Sequence, residues 1–234
     1  MLEVQDYLNL PKLGMEDSFA FTCVRCGRCC RNREDILLTP FDLFKMAKHL
    51  NMKIDEVMEQ YCESYEGETS KVPVVRIKPR EYRKTCPFAT KDGCKLHKIH
   101  PTAKPSVCAL FPLGRLTVFG EEGFKYFLQP ATCGNKNQSQ TVREWLDEFG
   151  LKEHIATMWH KKMGEISMLM RKAYEKANFN RMDINAILLL TLYVFYDLEQ
   201  DFEPQFERNL DKALEIASHL ASVGEEGADG ELVL

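Results

Sequence analysis

The chain has 234 residues, with 31 Lys and Arg against 35 Asp and Glu for a net charge of −4, and 44% of it is hydrophobic. That length and apolar content bury a real core in one large domain or a domain with an appendage, which excludes a wholly disordered chain. The mild acidity, with a pI near 5.9, argues against a protein built around nucleic-acid backbones or anionic membranes.

Residues 1–20, interrupted by Pro11 and Gly14, read as an irregular lead-in. The opening Met-Leu-Glu-Val-Gln-Asp has neither a basic nor an apolar signal region, so the expectation is a cytoplasmic protein with reduced thiols. Ile36–Leu38 reads as a short strand, and Thr39-Pro40-Phe41-Asp42 supplies an N-cap with proline at the first helical position, predicting a helix through Leu50. Asn51 breaks it, and Ile54, Val57, Met58 and Tyr61 predict a second helix. Val72–Ile77 is β-branched and carries Pro73, which predicts an edge strand. Residues 84–113 hold Pro87, Pro101, Pro105 and Pro112 with three cysteines and little periodicity, a stretch that calls for an external crosslink. Arg115–Phe119 and Phe124–Gln129 flank Gly120-Glu121-Glu122-Gly123, a hairpin signal.

Helices dominate from Thr141. Thr141-Val142-Arg143-Glu144 fits a capping box, Leu151–Ala177 is a long amphipathic helix, Asp183 opens an apolar helix, and Gln205–Val223 closes the fold. The longest apolar stretch, Ile184–Leu198, is interrupted by Asn185, Thr191 and Asp197; it is too short for the roughly 20 residues of a membrane helix and reads as a buried core helix. The fold class expected is α+β. A loop-rich, metal-stapled region over 1–135, with short strands and a hairpin, precedes a helical region over 136–223 and a flexible acidic tail over 224–234.

Nine cysteines stand at 23, 26, 29, 30, 62, 86, 94, 108 and 133, and none falls in the last 101 residues. Cys23, Cys26, Cys29 and Cys30 place four thiols in eight residues. Two-residue spacers let a turn aim successive sulfurs at one centre, as in zinc sites and in the first three ligands of bacterial ferredoxin clusters. Adjacent side chains tend to diverge, so Cys30 belongs either to a second centre or to the packing. Cys86, Cys94, Cys108 and Cys133 bring the candidate ligands to eight, enough for two four-thiolate centres or for one with spare partners. Cys62, on the second predicted helix, is left over as a small buried hydrophobe.

Arg25, Arg28, Arg31 and Arg33 surround the first group, and Lys84, Lys91, Lys95, Lys98 and Lys104 surround the second. Four thiolates on a divalent zinc, or on a four-iron core of charge 2+, leave −2, which nearby cations stabilise. Sparse aromatic interleaving and the negative total charge argue against a nucleic-acid partner. His97 and His100 read as residues behind the ligands or at the surface. No glycine-rich phosphate loop, Ser-His-Asp set or paired-carboxylate signature stands out.

The run Phe21-Thr22-Cys23-Val24-Arg25-Cys26-Gly27-Arg28-Cys29-Cys30 resembles the CxxCxxCC family of YkgJ-type cysteine-cluster proteins, described as zinc- or iron-chelating domains. The resemblance continues through Leu38-Thr39-Pro40-Phe41-Asp42, Cys86-Pro87-Phe88, Gly93-Cys94-Lys95-Leu96-His97 and Lys104-Pro105-Ser106-Val107-Cys108, covering roughly residues 19–135. This chain has His97 where the family pattern often has Tyr, and Lys104-Pro105 where it has Arg-Pro. Some members have been labelled Fe–S oxidoreductases, and the domain is similar to one in flagellin lysine methylases that carry an iron–sulfur cluster; no methyl-donor motif accompanies it here.

The leading expectation is a four-iron cluster on Cys23, Cys26, Cys29 and a remote cysteine, serving electron transfer or a redox step with a redox or protein partner. Cys86 is an attractive fourth ligand because Cys-Pro also ends the ferredoxin run, but the choice among Cys86, Cys94, Cys108 and Cys133 stays open. The alternatives are a zinc module with two closed four-thiolate sites and a protein-modifying enzyme with a structural cluster.

Overall fold

Phe19 and Phe21 point inward while Ser18, Ala20 and Thr22 are more exposed, the two-residue alternation that makes Ser18–Thr22 a strand. It opens a computed structural model that describes residues 6, 9–31, 33–81, 84–117, 123–131, 133–176 and 178–226. The strands in chain order are β1 (Ser18–Thr22), β2 (Leu37–Leu38), β3 (Cys62–Glu66), β4 (Pro73–Ile77), β5 (Ala89–Thr90), β6 (Gly93–Cys94), β7 (Leu113–Leu116), β8 (Lys125–Leu128) and β9 (Asn135–Thr141). The helices are α1 (Pro40–Leu50), α2 (Ile54–Tyr61), α3 (Lys95–Ile99), α4 (Ser106–Leu110), α5 (Val142–Glu148), α6 (Glu153–Lys176), α7 (Arg181–Leu189) and α8 (Phe202–Glu226). The fold is α+β, with short antiparallel strands and a helical C-terminal half. The chain forms two units, residues 1–36 with 77–157 and residues 37–76 with 158–234, so they interleave in sequence.

In the first unit, β1 pairs antiparallel with β9 from Ser18 opposite Thr141 to Thr22 opposite Asn135, with a bulge between Ala20 and Thr22. Neither strand is expected from local pattern: β1 falls partly in the lead-in, and the Asn-Lys-Asn-Gln-Ser-Gln-Thr of β9 is almost wholly polar. The hairpin is present as β7 and β8, with Leu113 opposite Leu128 and Leu116 opposite Lys125. It begins two residues before the expected start, and its expected turn lies largely outside the described residues. The Thr141–Glu144 capping box forms: Thr141 Oγ1 accepts from the Glu144 N–H at 3.1 Å and Glu144 Oε2 accepts from the Thr141 N–H at 2.8 Å. These elements converge on a core of Phe19, Phe21, Leu110, Leu113, Tyr126, Trp145 and Phe149. The Trp145 ring meets Phe19 and Phe21 edge-on at 5.7 and 5.9 Å, and its Nε1–H donates to the Ala109 carbonyl at 3.1 Å.

In the second unit, α1 starts as expected, with Thr39 capping and Pro40 in the first turn, and ends at Asn51 in the left-handed region. β4 is the centre of the sheet β2-β4-β3 and not an edge strand. Pro73 is tolerated because it occupies the first strand position, and the polar Cys-Glu-Ser-Tyr-Glu of β3 hides the second neighbour from a pattern reading. Cys62 is not on α2; it caps that helix, opens β3 and is buried. The apolar segment is not one buried helix through Leu198. α7 starts at Arg181, two residues before Asp183, with the Asn180 side chain accepting from the Met182 N–H. Leu190–Val194 is a π-helical turn that breaks the stripe, leaving Leu188 and Leu192 buried but Phe195 57% exposed. The last helix runs longer than expected, from Phe202 to Glu226. Residues 224–226 therefore continue it and are not part of a tail, whose remainder, 227–234, lies outside the described residues. No helix among the described residues is long and apolar enough to cross a membrane.

Candidate metal centre

Cys23, Cys26, Cys29, Cys30, Cys86, Cys94, Cys108 and Cys133 line one cavity of about 50 Å³ in the first unit, several times the about 10–15 Å³ that a single water needs. Phe21, Ile36, Ile77, Phe88, Leu96 and Phe111 complete its apolar wall. Every cysteine grouped from the sequence is thus at this cavity. Cys62 is not among its lining residues and belongs to the second unit. The described residues contain no group of three or more His, Cys, Asp or Glu arranged to hold a metal ion; the thiols surround a space and do not close on one point.

Each thiol reaches the cavity by a local device. β1 delivers Cys23. The chain then turns through Arg25 and Gly27, both with positive φ, into the short 3-10 turn Arg28–Cys30, where the Cys30 N–H donates to the Gly27 carbonyl at 3.1 Å. Glycine at 27 takes this conformation without strain. Contrary to the expectation that adjacent side chains diverge, the sulfurs of Cys29 and Cys30 lie 3.9 Å apart, because this tight turn leaves both at the cavity.

The Cys86 N–H donates to the Cys30 carbonyl at 3.0 Å, and the Cys86 carbonyl accepts from the Ala89 N–H at 3.0 Å. Ala89 in turn pairs with Cys94 across the β5–β6 hairpin. Gly93, φ +106, packs so tightly on Arg25 that an added Cβ would lie 3.1 Å from the Arg25 carbonyl oxygen. α4 presents Cys108 beside the Trp145 hydrogen bond to Ala109. Cys133 precedes Gly134, φ +78, where an added Cβ would stand 2.3 Å from the Phe21 ring and 2.9 Å from the Thr22 carbonyl oxygen. Only glycine lets the segment leading from Cys133 into β9 lie this close to the end of β1 that Cys23 follows.

Electrostatics separates the thiols. Cys29 is lowered to about 6, chiefly by the hydrogen bond from the Cys30 thiol; burial opposes this, and Lys104 and Arg33 assist. Cys30 is pushed strongly up by that same hydrogen bond, then by burial and by the charges of Cys29, Cys86 and Cys94. Burial raises Cys86 to about 11. It also raises Cys108, partly offset by Lys104 and reinforced by Cys86, Cys29 and Cys94. Cys133 rises through burial and through the neighbouring Cys26, Cys29 and Cys23.

His97 lines the cavity, lowered to about 4 by burial and by Lys104 and Arg25, so it is a neutral imidazole. Its ring meets Phe149 edge-on at 5.8 Å. His100 is exposed and caps the turn at Pro101, with Nδ1 2.8 Å from Thr102 Oγ1. Lys104 is a site residue whose setting sequence reasoning missed: it is 7% exposed and its ammonium stands 4.7 Å from the Phe149 ring centre. A lysine among basic neighbours gives no local sign that it is the buried one.

The donor set is sulfur-rich, and it lies in a locally basic stretch: residues 23–36 and 77–108 hold twelve Lys and Arg against four Asp and Glu. Soft thiolate donors with compensating cations suit zinc or iron–sulfur chemistry. Residues 22–147 match the family CxxCxxCC, described as "Putative zinc- or iron-chelating domain". The chain is also similar to MJ0661 of Methanocaldococcus jannaschii, described as an uncharacterized protein, with 30% identity over 98 residues; the match covers 41% of this chain and 46% of that protein. No solved structure matches.

Proposed function

From the premise that this chain belongs to the CxxCxxCC family of zinc- or iron-chelating domains, we propose that its thiol cavity holds an iron–sulfur cluster and serves electron transfer. The carrying observation is that Cys23, Cys26 and Cys29, spaced as in the first three ligands of a ferredoxin run, line one cavity with Cys133. On this reading Cys133, beside Cys26 and two residues before the strand paired with β1, is a better fourth ligand than Cys86, whose backbone is tied to Cys30. When bound, the cluster supplies a one-electron redox couple. The chain's own residues hold it and tune it: Cys26 is exposed, while buried Lys104 and Arg33 favour the Cys29 thiolate.

Purification without oxygen, followed by absorption spectroscopy and by iron, zinc and sulfide analysis, tests this. A brown protein with iron and acid-labile sulfide is expected, and stoichiometric zinc without visible absorbance refutes it. A zinc module is the second reading. It is favoured by the segment from β5 to α4, built of two-residue strands and five-residue helices, which gains most from a metal staple.

A further inference from the structure

We propose that the eight thiols form two separate metal centres, an outer one on Cys23, Cys26, Cys29 and Cys133 and an inner one on Cys30, Cys86, Cys94 and Cys108. The inference rests on the chelating role of the cavity and not on which metal occupies it.

Two independent backbone scaffolds bring the thiols together. The first is the β1–β9 ladder. Thr22 lies opposite Asn135, so Cys23 and Cys133 follow and precede paired residues at the same end of that ladder, with Gly134 packed on Phe21 and Thr22. Cys26 and Cys29 belong to the loop leaving this end. The second scaffold is a relay of main-chain contacts: the Cys30 carbonyl takes the Cys86 N–H, the Cys86 carbonyl takes the Ala89 N–H, and Ala89 pairs with Cys94. No residue of β1 or β9 takes part in this relay. Cys108 joins from α4; the thiols whose charges it feels are Cys86, Cys29 and Cys94, those felt by Cys133 are Cys26, Cys29 and Cys23, and Cys29 is the one common to both.

The two sets also differ in access. Cys30 and Cys86 are buried, while Cys26 is exposed. The inner set suits a closed structural ion of the zinc class, and binding there exchanges four thiol protons for one divalent cation, leaving a net −2. The outer set suits the group that communicates with a partner. Cys29 and Cys30, 3.9 Å apart at sulfur, mark where the centres adjoin, which gives the paired cysteines one role each.

The test counts metal per chain in the full-length protein purified without oxygen, as wild type, Cys26→Ser, Cys133→Ser and Cys94→Ser. Two centres are expected in the wild type. Cys26→Ser and Cys133→Ser each remove the outer group and keep one inner ion per chain; Cys94→Ser removes the inner ion. A single centre in the wild type overturns the proposal, as does loss of all metal from Cys26→Ser with unchanged far-UV circular dichroism. Should Cys94→Ser not fold, the wild-type count and the Cys26→Ser protein decide, since Cys26 sits exposed in a loop. Two zinc ions without iron would refute the cluster while supporting two centres; one iron–sulfur cluster as the sole metal group would do the reverse.

Discussion

The backbone N–H of Cys86 donates to the carbonyl oxygen of Cys30 at 3.0 Å, so the two cysteine groups are joined through the main chain as well as through any shared metal. Buried backbone polar groups are satisfied almost without exception in folded proteins, and here that rule sets the position of ligands. The contact explains why a proline-rich segment holds its thiols against a loop more than 50 residues earlier.

Cys62 is the control for every metal measurement. Metal content should be unchanged in Cys62→Ser, and equal loss from Cys62→Ser and Cys26→Ser would make Cys62 a ligand. Burial raises Cys62 from 9.0 to about 12. The folded thiol stays protonated where the unfolded one ionises, so its contribution to stability is complete below pH 9 and is lost as the pH climbs toward 12. The loss is roughly 4 kcal/mol at the extreme. Urea titrations from pH 8 to 11 should show a shallower decline for Cys62→Ala than for the wild type.

Cys29 should be a thiolate at neutral pH in the metal-free protein. The hydrogen bond from Cys30, with help from Lys104 and Arg33, lowers it to about 6, so its alkylation by iodoacetamide should rise through pH 6 and then level off. Cys30→Ala removes the donor and should move the midpoint up toward 9. Trypsin separates residues 29–31 from Cys26, which lets mass spectrometry follow this site; an unchanged midpoint in Cys30→Ala would remove the hydrogen bond as the cause.

Gly134→Ala should disrupt the outer cysteine set. The substitution places a methyl group against Phe21 at a positive φ and should cost more than about 1 kcal/mol. Gly164, in the middle of α6, is the matched control: nothing lies within 4 Å of an added Cβ, so Gly164→Ala should stabilise by about 0.5–1 kcal/mol. Denaturant titrations of the two variants should move in opposite directions.

Trp145→Phe keeps an aromatic ring among Phe19, Phe21 and Phe149 but leaves the buried Ala109 carbonyl without its Nε1–H donor. The expected cost is about 1–3 kcal/mol, read as a lower urea midpoint. Because Ala109 follows Cys108, faster metal loss to a chelator should accompany it.

The features written locally in the sequence are the ones that could be read from it. The Thr39 and Thr141 caps, the break at Asn51, and the spacing of Cys23, Cys26 and Cys29 each depend on residues within a few positions. What was illegible depends on distant pairing. β9 is polar because one short ladder to β1 is all it needs, and the nearness of Cys133 to Cys23 follows from that register. Pro73 suggested a sheet edge only because β3 has no apolar alternation, and Lys104 is singled out by its burial beneath Phe149, which no neighbouring residue announces.

The β1–β9 pairing also sets an order of events during synthesis. Cys23 precedes Cys133 by 110 residues, so at about 5–20 residues per second the first thiols wait roughly 6–20 s for the strand that completes their surroundings. The ribosome therefore presents Cys23, Cys26 and Cys29 as an open, unfinished ligand set, and the cell must either keep them reduced during that interval or deliver metal after the polar strand has closed.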